Sequence, residues 1–239
     1  MIPKIIHYCW FGTNTPPPII DKCIKSWHKV LPDYKIIRWD ESNYDVNKNK
    51  FISTAYKVKK FAFVSDYARF DILSEYGGIY LDTDVELIKT LNPFLLHKTF
   101  TGFEKYDLVN PGVIIGAEKG SPLVEYMKSY YENRIFDPSR IETVVSIMTN
   151  YLYTKGLKLN NSMQIVDGTN IYPTEYFAPL GFQTGKLHKT ENTVSIHHYA
   201  SSWLTKSDKF KLFLSRNLTN FMGAKLFNQI KKTFKNFKY

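Results

Sequence analysis

With 239 residues, 44% of them hydrophobic and 16% aromatic, the chain can bury a full core, and its size fits one large domain or one domain with an appendage. Two cysteines, Cys9 and Cys23, are too few for a disulfide scaffold, and no apolar run reaches the roughly 18 residues of a membrane span. The net charge of +10 is uneven: residues 204–239 hold nine basic side chains against Asp208 alone, so the overall charge is no argument that the nearly neutral body binds nucleic acid.

Ile2, Ile5 and Ile6 open an apolar stretch through Trp10 that reads as a first strand, closed by Gly12 and the run Thr13 to Pro18. A helix is expected from about Asp21, and a second strand over Tyr34 to Trp39. Asp40 to Asn49 is polar enough for a loop or cap. Phe61, Val64, Ala68, Ile72, Leu73 and Tyr76 recur at helical spacing, and Gly77 and Gly78 then stop that helix. A short buried strand, Ile79 to Leu81, follows and delivers Asp82, Thr83 and Asp84 at its C-terminal end. Further on, Val113 to Ile115 reads as a strand, Ser121 and Pro122 as the start of a helix through Tyr130, and Glu142 to Tyr153 as another helix. Strands alternating with helices point to an α/β sandwich, in which ligands bind beyond the C-terminal ends of the strands.

Three segments carry chemistry. In IYLDTDVE, residues 79–86, two carboxylates one residue apart share a side of an extended chain. Hard cations such as Mg²⁺ and Mn²⁺ take carboxylate oxygens together with phosphate oxygens, so Asp82 and Asp84 are candidates to anchor a metal on a diphosphate. In SDYARFDILSEYGG, residues 65–78, Asp66 and Arg69 share a helix face one turn apart, either as a surface ion pair or as a border of the same pocket. In SIHHYASSW, residues 195–203, either His197 or His198 is placed to complete a metal sphere, and Ser201, Ser202 and the Trp203 indole offer hydrogen-bond donors to phosphate.

Together, IPKIIHYCWFG, FVSDYARFDILSEYGGIYLDTDVE and HHYASSW resemble glycosyltransferase family 32 over roughly residues 2–203. The resemblance implies a GT-A fold with a central mixed sheet, a divalent cation (Mn²⁺ or Mg²⁺), a nucleotide-sugar donor, and transfer with retention at the anomeric carbon. Position by position it makes Trp10 a stacking partner for the donor base, Asp66 and Arg69 holders of the donor sugar, and Tyr80 a neighbour of that pocket. It sets Asp82 toward sugar and ribose, Asp84 as the most direct metal ligand, His198 as a further ligand, and Ser201 and Trp203 at the β-phosphate. Asn110, before Pro111 and Gly112, is the acceptor-side candidate. The expected donor is a UDP-hexose first and GDP-mannose second. The expected acceptor is a saccharide, lipid-linked forms included, in the synthesis of a bacterial capsular or surface polysaccharide.

The expected organisation is a catalytic domain over 1–204 and a basic amphipathic helical tail over 205–239. In the tail Phe213, Leu214, Leu218, Phe221, Leu226, Ile230, Phe234 and Phe237 recur among lysines, which suggests contact with an anionic inner membrane leaflet, the alternative being a helix that packs its apolar stripe on the catalytic body. With no signal-peptide pattern at MIPKIIHYCWFG, the expected location is the cytoplasmic side of that membrane. Two rival readings remain on the residues alone. A haloacid-dehalogenase-type phosphatase would use Asp82 as nucleophile and Asp84 as acid, but no Gly-Asp or Asp-Asp dipeptide follows to complete its metal site. A noncatalytic binder of nucleic acid or lipid would rest on the tail and leave residues 65–86 without a purpose.

Overall fold

The computed structural model describes residues 1–105, 107–182 and 184–200. Ser201, Ser202, Trp203 and the basic tail lie outside the described residues. The elements are β1 (Ile5–Cys9), α1 (Pro18–Val30), β2 (Lys35–Trp39), α2 (Lys50–Lys57), α3 (Phe61–Tyr76), β3 (Gly78–Tyr80), β4 (Val85–Leu87), β5 (Thr99–Lys105), β6 (Leu108–Val109), β7 (Ile115–Ala117), α4 (Pro122–Glu132), α5 (Val144–Thr154), β8 (Gln164–Val166), β9 (Thr169–Tyr172), α6 (Thr174–Phe177) and β10 (Ser195–His197).

Most strands form one sheet in the order β2-β1-β3-β7-β5-β9-β8, with β6 beside β5. β1 runs parallel to both β2 and β3, β7 runs antiparallel to β3 and β5, and β9 returns parallel to β5. Side-chain alternation along each strand feeds two cores. Ile79 turns to one face with Ile6, Trp27, Phe94, Phe100 and Phe177, whereas Tyr80 turns to the other with Phe70, Leu73, Met127 and Ile147. This is the expected α/β sandwich with a central mixed sheet. β4 and β10 form a separate antiparallel ribbon beyond the end of β3.

α3 is the helix that places the site. It is apolar on most of its circumference, so it is buried from Val64 to Leu73 apart from Ser65 rather than along a single stripe. Gly77 ends it at φ +63, its N–H closing on Leu73 O, and a Cβ there would stand 3.0 Å from the Lys119 backbone nitrogen. The chain reverses straight into β3, whose residues pair with β1 at Ile6↔Ile79 and His7↔Tyr80.

Several boundaries differ from the sequence expectation. α1 starts at Pro18 rather than near Asp21, because proline fits the first helical turn where no N–H partner is needed. α2 begins where the Asp40 to Asn49 loop ends, in residues given no element from the sequence, and Asn49 caps it by accepting from the Ile52 N–H. The strand expected at Val113 to Ile115 lies at Ile115–Ala117, because Asn110 to Val113 form a tight turn in which the Val113 N–H donates to Asn110 O. Thr143 caps α5 through its hydroxyl, so that helix begins two residues after Glu142. No helix among the described residues is long and apolar enough to cross a membrane.

Candidate functional site

Parallel pairing of β1 with β3 brings their C-terminal ends to one edge of the sheet, and Leu81 N–H continues the pairing by donating to His7 O. Trp10 therefore leaves β1 beside the point where Asp82 leaves β3. Trp10 is half-buried, and its indole N–H donates to Asn14 O at 3.0 Å, which fixes the ring in the loop after β1.

At this edge Asp82, Asp84 and His197 each offer one ligand atom, all within 4.8 Å of one another. Asp84 is the inner acid. Its carboxylate accepts from His197 Nε2 at 3.1 Å and from the Ala200 N–H at 2.7 Å, and its carbonyl accepts from the His198 N–H at 2.9 Å. Asp82 is the outer acid, with 32% of its side chain exposed against 13% for Asp84. Two carboxylates and an imidazole are hard or borderline donors that suit a divalent cation sharing a ligand with phosphate.

The sequence resemblance gave the third ligand to His198, but the structure places His197, not His198, with the two acids. β10 pairs with β4 at His197↔Val85, and neighbouring strand residues face opposite ways, so only one of the two rings can meet Asp84. His197 does so, whereas the His198 ring turns to Glu86 at 2.7 Å, where Lys22 also binds at 2.9 Å.

Asp66 and Arg69 do form a pair in the site. Arg69 Nη2 donates to Asp66 at 2.9 Å and lies 3.4 Å from Asp82, so the pair borders the acidic cluster rather than the surface. The Arg69 guanidinium lies over the Tyr80 ring, 4.7 Å from its centroid. Tyr80 is buried beneath it and reaches the site through that stacking. Arg69 Nη1 is buried with no hydrogen-bond partner, an unspent donor beside a cluster of acids.

Burial and charge set the protonation here. Burial pushes the Asp66 carboxyl up to about 7, with Arg69 pulling it down and Asp82 adding to the rise. Burial disfavours charge on Arg69, but Asp82, Tyr80 and Asp66 reverse this and hold it above its ordinary range. For Asp84, burial favours the neutral acid, yet the His197 charge and the hydrogen bonds from His197 and Ala200 outweigh it and keep the carboxylate ionised. His197 is the mirror case: burial lowers it, and Asp84, Glu104 and Asp82 together raise it to about 9.

Asn110 is buried, and its side chain is engaged within the chain. Its amide oxygen accepts the Gly112 N–H at 2.7 Å, its NH₂ donates to Glu104 at 2.9 Å, and Gly112 O accepts the Asp82 N–H at 2.8 Å. A Cβ on Gly112 would stand 2.1 Å from Asp82 Oδ2, so only glycine leaves room for that carboxylate. Glu104 is a site residue that sequence reading misses, since a single acid inside TFTGFEK has no spacing signature.

Residues 17–101 match a family described as the glycosyltransferase sugar-binding region containing the DXD motif, a span that includes Asp66, Arg69, Asp82 and Asp84. An uncharacterized glycosyltransferase of Acanthamoeba polyphaga mimivirus is 28% identical over 190 residues, covering 74% of this chain and 75% of its own length. Inositol phosphoceramide mannosyltransferase 3 of Schizosaccharomyces pombe is 34% identical over 131 residues, covering 52% of this chain. The chain spans only 35% of that yeast relative. Among solved structures, the PaToxG glycosyltransferase aligns with 65% of this chain and 70% of its own, at 17% identity and a TM-score of 0.47.

Proposed function

We propose that this chain, which belongs to the DXD-motif glycosyltransferases of family 32, transfers a hexose from a nucleotide diphosphate sugar to a saccharide acceptor with retention at the anomeric carbon. The observation that carries this reading is the convergence of Asp82, Asp84 and His197 at the strand edge, with Arg69 against Asp82. These three residues would hold a Mn²⁺ or Mg²⁺ ion, which would supply neutralisation of the diphosphate charge.

The chain's own residues do the remaining work in this reading. Arg69 adds a fixed positive charge and a free Nη1–H toward the donor. Asp66, poised near neutrality, accepts from or donates to a sugar hydroxyl. Trp10 offers a ring to the donor base at the neighbouring strand end. Ser201, Ser202 and Trp203 directly follow Ala200, whose N–H is committed to Asp84, and they are assigned to the β-phosphate. Catalysis of this kind is mostly electrostatic and needs no protein base, because the leaving phosphate oxygen takes the acceptor hydroxyl's proton. UDP-hexoses lead the donor panel, and the yeast relative's mannosyltransferase name brings GDP-mannose beside them.

The test is a panel of nucleotide sugars with Mn²⁺, assayed for slow donor hydrolysis without acceptor. One donor hydrolysed in a chelator-sensitive way supports the reading. Hydrolysis untouched by chelation, or none across UDP- and GDP-hexoses, overturns it.

The cellular half of the proposal is peripheral attachment at the inner face of the membrane through residues 206–239, with eight Lys and one Arg and each basic side chain near an anionic surface worth about 1 kcal/mol. Flotation of the full chain with phosphatidylserine vesicles tests it. Deletion of 206–239 is expected to abolish co-flotation, and equal flotation of both forms sinks the idea.

A further inference from the structure

The site is closed behind by a ring of contacts that the three metal-binding candidates do not account for. Asp82 N–H donates to Gly112 O, Gly112 N–H to the Asn110 side chain, and the Asn110 amide to Glu104 Oε1. Glu104 Oε1 in turn stands 3.7 Å from His197 Nδ1, and His197 Nε2 meets Asp84 at 3.1 Å. The ring thus runs from one acid of the DXD motif to the other through Glu104.

Two facts single out Glu104 within that ring. His197 is 7% exposed, and its Nδ1 is buried with no hydrogen-bond partner, so Glu104 is the acceptor that this nitrogen faces. Glu104 is itself confined, with 12% of its side chain exposed and Oε1 gripped by Asn110. An imidazole that binds a cation through Nε2 must carry its proton on Nδ1, and a carboxylate facing Nδ1 fixes both that tautomer and the ring plane.

We propose that Glu104 is a positioning residue: held by Asn110, it orients the His197 ring and keeps the proton on Nδ1, so that Nε2 is presented to the cation between Asp82 and Asp84. This rests on the cation-site reading given under the proposed function. It assigns to β5, an element outside the DXD strand, a share in metal affinity without any contact to donor or acceptor.

The test measures Mn²⁺ binding to the full chain without nucleotide, by the loss of the free-ion electron paramagnetic resonance signal, for wild type, Glu104→Gln, Glu104→Ala, His197→Ala and Asp84→Ala. Glu104→Gln keeps an oxygen for the Asn110 amide and so guards against a folding defect, which thermal unfolding checks. The expected result is a 10- to 100-fold weaker Kd for Glu104→Ala, as for other partners of metal-bound histidines. Glu104→Gln should recover part of that loss, with unfolding temperatures close to wild type. Both Glu104 variants binding Mn²⁺ as wild type does, while His197→Ala and Asp84→Ala bind weakly, overturns this inference alone. Wild-type-like binding in His197→Ala and Asp84→Ala overturns the underlying cation site as well.

Discussion

Asp66 and Asp71 lie five residues apart on the same helix, and both are nearly sealed from solvent, yet they end in opposite states. Asp71 receives the Tyr44 hydroxyl at 2.9 Å, Lys48 at 2.6 Å and Lys128 at 3.0 Å, and these overcome its burial and hold it below the usual carboxylate range. Asp66 receives Arg69 alone and is pushed up to about 7. Asp71 ties the loop before α2 and the helix α4 to α3, and its hydrogen bonding is complete within the chain. Among the described residues Asp66 has Arg69 Nη2 as its one ion-pair partner, that same nitrogen reaches Asp82 at 3.4 Å, and Arg69 Nη1 is buried without a hydrogen-bond partner. One buried acid is saturated by the fold; the other has capacity left over for a ligand, and that difference separates a structural polar cluster from a candidate site.

The largest expected effect lies at the far end of the unsaturated cluster. Asp84→Asn should lower donor hydrolysis and transfer by roughly a thousandfold or more, since a charged ligand to the cation is lost where leaving-group charge develops. Its thermal unfolding should also fall at neutral pH, because His197 and Ala200 hold this carboxylate ionised in the fold, so activity is compared per folded molecule. Near-normal transfer by this variant would erase the distinction between the two acids.

Exchanging the acids one at a time sharpens the comparison by pH. Because the folded pKa of Asp66 is raised from 3.8 to about 7, its contribution to stability is fully present below pH 3.8 and is lost as pH rises through 7. Asp66→Asn removes that dependence, so the variant should gain on wild type between pH 4 and 7.5, by on the order of 3 kcal/mol. Asp71 carries the opposite sign: its folded pKa is depressed, so its stabilisation is present at neutral pH and fades in acid. Asp71→Asn should therefore cost about 2 kcal/mol at pH 7, less than for a fully buried pair because Lys48 and Lys128 keep 43% and 25% of their side chains in water. Donor hydrolysis per folded molecule should survive in Asp71→Asn and fall in Asp66→Asn. Urea unfolding at pH 5 and 7.5 with a parallel hydrolysis assay reads both, and matching behaviour of the two variants would contradict the argument.

The same contrast explains what could be read from the residues and what could not. The working half of α3 was legible because its cues are local: an apolar helix, two glycines that stop it, three apolar residues and two acids. Asp66, Arg69, Asp82 and Asp84 then fall together by chain continuity alone. The third member of the candidate cation site was not legible, because choosing between His197 and His198 requires the register of β10 on β4, set by residues over a hundred positions away. Glu104 reaches the site through sheet order, β5 lying two strands from β3 with β7 between them, and no pattern within its own segment announces that. Asp71 was passed over for a related reason: its partners come from residues 44, 48 and 128, and only the folded helix packing brings them together.

The smallest expected effect tests how tightly the unsaturated cluster is backed. Gly112 leaves its Cβ position to Asp82 Oδ2, and its N–H and C=O are both committed, to Asn110 and to the Asp82 N–H. Gly112→Ala must displace the Asp82 carboxylate, the outer and more exposed of the two acids, while Asp84 stays anchored by Ala200 and His197. The cation should still bind, through Asp84 and His197, but with one ligand misplaced, so donor hydrolysis should fall by about tenfold, the cost of roughly 1.4 kcal/mol in transition-state stabilisation. Adding Mn²⁺ in excess should restore part of the activity if the loss lies in metal affinity and none if it lies in sugar placement. Full activity in Gly112→Ala would show that Asp82 has more freedom than its packing against the turn allows.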